Sequence, residues 1–110
     1  MNTLIKKDFK ISARDAKKRL DSEKGIILVD VRSSEEYKEN HINNSISIPL
    51  ESLHEDIENE APNKSTTIFV YCNSGNKSGK AAEMLDKLGY TNVYDLGGMV
   101  NWPYETIRGN

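Results

Sequence analysis

Two spacings of apolar residues alternate along this chain. Ala13, Ala16 and Leu20 recur at helical spacing behind Ser12, a good N-cap residue, so a helix is predicted over 12–20. After Gly25 the residues Ile26, Ile27, Leu28 and Val29 form an unbroken apolar run, the mark of a short buried strand over 26–29. Ser33 and Glu36 stand at capping-box spacing and open a brief helix through Lys38. Ile46 and Ile48 alternate with serines until Pro49 ends that strand. Leu50, Leu53 and Ile57 then stripe an amphipathic helix, and its acidic run over 51–60 reads as a solvated face. A second strong strand is predicted over 67–71. Ala81, Ala82, Leu85 and Leu88 stripe the helix after it, with Gly89 placed as its C′ residue. The rest reads as a short strand over 93–96, a tight turn at Gly97-Gly98, and a closing helical segment over 99–107 with Pro103 near its start. Strands alternating with helices predict an α/β fold, with a small, mainly parallel central sheet flanked by helices on both faces.

Composition narrows the function classes. A length of 110 residues suits one domain over 1–110, with 1–10 as an N-terminal extension or edge segment. Fifteen basic and 17 acidic residues are spread along the chain, giving a formal charge of −2, so no basic stripe suggests nucleic acid. No apolar stretch approaches the roughly 20 residues that span a bilayer, so no membrane partner is expected. The opening MNTLIKKDFK lacks the apolar core of an export signal. The single cysteine has no internal disulfide partner and no CxxC mate. A reduced, cytoplasmic protein is the expectation.

That cysteine is the chemically informative residue. CNSGNKS, 72–78, lies between the strand at 67–71 and the helix after it. In open α/β sheets, ligands bind beyond the carboxyl ends of strands, where loops enter helix N-termini. Amides of such a loop and first turn lack intrahelical acceptors and converge on an anion. Lys77 adds positive charge, Gly75 permits a tight curl, and Asn73, Ser74, Asn76 and Ser78 are small and polar. This environment favours an anionic Cys72 sulfur. The plainer alternative is a free cysteine closing a buried strand; the small polar residues that follow it weigh against that.

Three stretches resemble the rhodanese family. VDVRSSEEYKENHINNSISIP (29–49) resembles its Asp-Val-Arg signature with the His-Ile pair, YCNSGNKS (71–78) its active loop, and LGGMVNW (96–102) its C-terminal Gly-Gly motif. They occur in the family order and cover nearly all the chain from about Ile11. The resemblance implies a sulfurtransferase in which Cys72 carries sulfane sulfur as a persulfide, the loop from Asn73 to Ser78 binds the substrate, and no cofactor or metal takes part. The implied partners are a small-molecule or protein sulfur donor, such as thiosulfate, polysulfide or a protein persulfide, and a thiol or cyanide acceptor. The related phosphatases and arsenate reductases have one more loop residue and then an arginine; Ser78 occupies that position here. Asn73 and Lys77 stand where many family members have arginine. Lysine lacks the planar fork that grips oxyanions, which points away from thiosulfate and toward a polysulfide or protein persulfide. Asn40, Asn43 and Asn44 replace the usual Gly, Pro and Gly around His41-Ile42, and Asn tolerates the turn conformations required. A second function class is a rhodanese-like binding or sulfide-sensing module whose thiol is modified without turnover.

Other residues read more plainly. Asp30 and Arg32 end a strand beside the loop and are expected to satisfy one another while supporting it. His41 and His54 have no zinc spacing, and His41 reads as a packed, hydrogen-bonded turn residue. Trp102, Pro103 and Tyr104 are expected to pack against the sheet.

Overall fold

The computed structural model describes residues 7–109. In chain order the elements are α1 (Ala13–Ser22), β1 (Ile27–Asp30), α2 (Ser34–Glu39), β2 (His41–Ile42), β3 (Ile46–Ser47), α3 (Leu50–Glu60), β4 (Thr67–Cys72), α4 (Asn76–Lys87), β5 (Asn92–Gly98), a single 3-10 turn (Met99–Asn101) and β6 (Thr106–Ile107). The main sheet has the order β3-β1-β4-β5, and every pairing within it is parallel. It is an α/β arrangement with helices on both faces.

Alternation along β4 sorts its side chains between two cores. Ile68, Val70 and Cys72 face α3 and α4, packing with Leu53, Ile57, Ala81, Ala82 and Leu85. Phe69 and Tyr71 face the other way, packing with Leu28, Ile42 and Ala16 of α1. Fully burying aliphatic side chains of this size contributes roughly 1.5–3 kcal/mol each, so the two layers hold the sheet from both sides. The Cys72 side chain is thereby turned toward the face that carries α4.

The helix ends follow the sequence closely. Ser12 Oγ accepts the Asp15 amide at 3.0 Å, and Ser33 and Glu36 form a reciprocal capping box. At the end of α4, Gly89 (φ 102) is followed by a bond from Tyr90 N to Leu85 O at 3.1 Å, a Schellman closure. Asn44 adopts φ 70, within the left-handed region that asparagine tolerates. The acidic face of α3 is exposed, as is His54. Of the expected N-terminal segment, residues 1–6 lie outside the described residues. Asp95 N donates to Phe9 O at 2.7 Å and Ile11 N to Asp95 O at 3.0 Å, so this stretch runs beside β5.

The C-terminal third corrects the sequence reading. Gly97-Gly98 is no tight turn: both residues continue β5, with Gly97 paired to Tyr71 and Gly98 to Cys72 after a register shift. Gly97 takes φ 84 and its amide donates to Asp95 Oδ1 at 2.8 Å. The helical segment expected over 99–107 stops after one 3-10 turn. Trp102, preceding a proline, is held extended at φ −94 and ψ 106, and Pro103 has no amide to continue the ladder. The chain then pairs antiparallel with His41 and Ile42 through Thr106 and Ile107. Trp102 packs on the α1 side of the sheet and Tyr104 meets it edge-on at 4.9 Å, but Pro103 is exposed.

Candidate functional site

β1 leads onward to β3 on one side of the sheet, and β4 leads to β5 on the other. Their neighbouring carboxyl ends therefore form the switch point where parallel sheets open a crevice. Cys72 is the last residue of β4 and is 2% exposed. Its Sγ accepts hydrogen bonds from the Gly75 amide at 3.0 Å and the Ser78 amide at 3.3 Å.

The local sequence explains this seat. Gly75 is the N-cap of α4, with φ 105, a conformation costly for residues bearing a Cβ, and it offers no capping side chain. The sulfur stands where a capping oxygen normally would, taking the otherwise orphaned amide of Ser78 in the first turn. Ser78 is fully buried, and its hydroxyl donates to Gly75 O at 3.1 Å, bracing the curl.

Behind the loop, β5 passes without side chains. A Cβ on Gly98 would collide with Asn73 O and would lie 2.8 Å from Ser74 Cα. Val100 N reaches Asn73 O at 3.4 Å. Only glycine at 98 lets the strand end lie this close under the cysteine loop.

In front of the sulfur lies a cavity of about 190 Å³. Asn73, Ser74, Asn76 and Lys77 line it from the loop, and Arg32 and Glu36 from the β1 side. Asp30 is fully buried and Arg32 is 4% exposed. The Arg32 Nη2 donates to Asp30 Oδ2 at 2.8 Å, Nε reaches both carboxylate oxygens at 3.1 Å, and Nη2 also donates to Asn40 O at 2.5 Å. Burial alone would lower the Arg32 pKa, but the hydrogen bond and charge of Asp30 outweigh it and the net direction is upward. The structure thus brings Asn73, Ser74, Asn76, Lys77 and Arg32 to one cavity with Cys72, while Gly75 and Ser78 meet the sulfur through their amides and Asp30 stands one step behind, locked to Arg32.

Two neighbours escaped the sequence reading. Glu36 was legible only as half of a capping box, yet its Oε2 lies 3.4 Å from Asn73 Nδ2, across the cavity mouth. Gly98 falls within LGGMVNW, but its clearance under the loop is visible only in three dimensions. His41 is packed and hydrogen-bonded as expected, but on the two-residue strand β2 rather than in a turn: it is buried, stacked on Tyr37 at 3.7 Å, with Nδ1 2.8 Å from Tyr37 O. Burial pushes the Tyr71 phenol well above its ordinary pKa; its oxygen accepts the Ile42 amide and pairs with Ser45 Oγ, both at 3.0 Å, tying this stretch to β4.

Comparison with known proteins agrees with this fold. The family model of the rhodanese-like domain matches residues 12–104. The chain belongs to the rhodanese-like family. It is 40% identical over 81 residues to the thiosulfate sulfurtransferase PspE of Escherichia coli, covering 74% of this chain and 78% of PspE. It is 37% identical over 100 residues to the adenylyltransferase and sulfurtransferase uba4 of Ogataea parapolymorpha, covering 90% of this chain but only 24% of that protein. Among solved structures, an E. coli rhodanese with anions superimposes with a TM-score of 0.73 at 38% identity, covering 76% of this chain and 99% of the other. As a member of this family the chain has the rhodanese fold, and among its described residues no helix is long and apolar enough to cross a membrane.

Proposed function

We propose that this protein is a sulfurtransferase that moves sulfane sulfur through a persulfide on Cys72. The observation that carries this reading is the pair of amides, Gly75 and Ser78, donating to one sulfur at the mouth of a cavity. The sulfurtransferase names of PspE and uba4 support the same class.

The chemistry balances without a redox partner. The Cys72 thiolate attacks the outer sulfur of a donor; with thiosulfate, a new S–S bond forms, the old one breaks, and sulfite leaves with the electron pair. The product Cys72–S–S⁻ carries one negative charge, as the thiolate did. An acceptor nucleophile then attacks the outer sulfur and Cys72 leaves as thiolate; cyanide becomes thiocyanate. Fixed amide dipoles stabilise the anion before and after loading without reorganisation. Lys77 contributes charge near the entering donor but no two-pronged grip. A polysulfide or protein persulfide is accordingly the better donor and thiosulfate the poorer one; each missing charge-assisted hydrogen bond weakens an oxyanion by about five- to thirtyfold. The phosphatase chemistry of related folds has no clamp here, because Ser78 is buried and uncharged. A thiol or cyanide acceptor and a cytoplasmic setting complete the proposal.

The test is intact-mass measurement after exposure to thiosulfate or polysulfide, followed by cyanide turnover. One added sulfur atom, its discharge by cyanide over many cycles, and loss of both in Cys72→Ser are expected. Stoichiometric loading with no turnover, whichever donor and acceptor are supplied, would assign the protein to the sulfide-sensing class instead.

A further inference from the structure

The charges around the cavity are not equivalent. Arg32 is bound to Asp30 through buried, multiply bonded contacts, so that pair is neutral as a unit. Beyond that pair the lining carries two charges, Lys77 and Glu36, and the Arg32 guanidinium, offset by Asp30, still acts on Glu36. Lys77 is exposed on the first turn of α4. Glu36 is half-buried and fixed: Oε1 accepts the Ser33 amide at 3.2 Å and the Ser33 hydroxyl at 3.1 Å, while Oε2 faces Asn73 Nδ2. Among the described residues no lysine or arginine forms an ion pair with Glu36. A carboxylate held by its own helix cap, beside the path to the sulfur, keeps its place as a donor enters.

We propose that Glu36 is a specificity-determining residue that selects sulfur donors by charge, disfavouring dianions such as thiosulfate relative to donors of lower charge. This deepens the sulfur-transfer reading and rests on it. The fixed negative charge opposes a second and third negative charge arriving on one small ion, whereas a persulfide presented by a neutral or basic carrier meets little opposition. Asn73, bonded to that carboxylate, keeps it facing the mouth without neutralising it.

Glu36→Gln removes the charge and retains the carbonyl oxygen that serves the Ser33 cap, so the fold is expected to survive. In a solvated cleft, one unit charge a few ångströms from a dianion's path changes its entry by about fivefold. In Glu36→Gln, kcat/KM for thiosulfate is expected to rise about fivefold at low salt, the gain fading as salt screens the field. A probe independent of sulfur transfer is the alkylation of Cys72 by iodoacetate, an anion, against iodoacetamide, which is neutral. The ratio of the two rates is expected to rise in Glu36→Gln by a few-fold and to stay near wild type in Glu35→Gln, an exposed neighbour on the same helix. Asn73→Lys, which leaves the cap untouched, is expected to move the ratio in the same direction and serves if Glu36→Gln does not fold. An unchanged ratio in the folded variants, or an equal change in Glu35→Gln, overturns the role of Glu36. Absence of turnover in every variant with thiosulfate and polysulfide alike, by contrast, overturns the sulfur-transfer reading, while the alkylation ratio still decides the charge effect.

Discussion

At the carboxyl end of β1 the chain turns into α2 with its polar groups matched inside the turn, whereas at the end of β4, its neighbour in the sheet, the turn into α4 leaves the matching to a sulfur. In the first turn, Asp30 accepts from the Arg32 amide and guanidinium, and Ser33 and Glu36 cap the helix reciprocally. In the second, the cap residue is a glycine, and the amides of Gly75 and Ser78 point at Cys72 Sγ. Both turns start from the same strand-to-helix geometry and the same orphaned amides. The difference teaches where chemistry becomes possible: a turn satisfied by its own side chains is a support, and one satisfied by an ionisable, exchangeable group is a seat for an anion. The support also stands beside the seat, since Arg32 and Glu36 form the opposite wall of the cavity.

The strongest way to break the comparison is to unbalance the support. Asp30→Ala strands the Arg32 guanidinium in a site where it is 4% exposed. Removing one partner of a buried pair costs about 3–5 kcal/mol, a large share of the 5–15 kcal/mol typical of a domain. Because the pKa of Arg32 is raised in the folded state, the guanidinium's favourable contribution is complete at neutral pH and would be lost only as pH climbs through that raised value. The loss in Asp30→Ala is therefore expected to be undiminished on moving from neutral to moderately alkaline pH. Urea unfolding gives the value directly, and a change below about 1 kcal/mol would show the pair to be a dispensable surface-like contact.

The seat itself is sensitive to backbone conformation. Gly75 at φ 105 cannot accept a Cβ without a cost of about 1–2 kcal/mol, and relaxing that strain draws its amide from the sulfur. Gly75→Ala is expected to lose about 1–2 kcal/mol of stability and at least about tenfold in cyanide-coupled turnover. Turnover at the wild-type level, with stability reduced as stated, would mean that the Gly75 amide does not hold the reacting sulfur.

The legible and illegible parts of this molecule divide along the same lines. The buried strands and the striped helices could be read because their periodicity is local, and so could the capping box and the glycine at the end of α4. The cysteine loop could be read because an anion seat needs glycine and small polar residues at fixed offsets. The end of β5 could not: paired glycines signal turns, and only the proximity of Gly98 to Asn73 and Ser74 reveals that they continue a strand. β2 and β6, of two residues each, are too short to show alternation, and their pairing joins distant parts of the chain. The Trp102-Pro103 step is in plain view: Pro103 reads as lying near the start of a helix over 99–107, yet it follows directly on the single turn that ends there. Glu36 shows a subtler gap, since one carboxylate oxygen serves a local motif and the other a tertiary contact.

The smallest expected effect tests most closely whether the sulfur does the work of a cap. Cys72→Ser and Cys72→Ala both remove the nucleophile, so both are expected to be inactive, and turnover cannot tell them apart. Stability can. A serine oxygen at position 72 still offers lone pairs to the Gly75 and Ser78 amides, although the shorter side chain draws the acceptor back. Alanine offers nothing, and the Ser78 amide, in a residue that is fully buried, is left without its acceptor. Replacing a capping oxygen by alanine costs about 1 kcal/mol, and a methyl group fills the space of either side chain only in part. Cys72→Ala is thus expected to unfold at lower urea than Cys72→Ser, by an amount equivalent to about 1 kcal/mol, with the same denaturant slope for both. Identical midpoints would show that α4 needs no acceptor at residue 72, and the likeness between the two strand-to-helix turns would then be one of geometry alone.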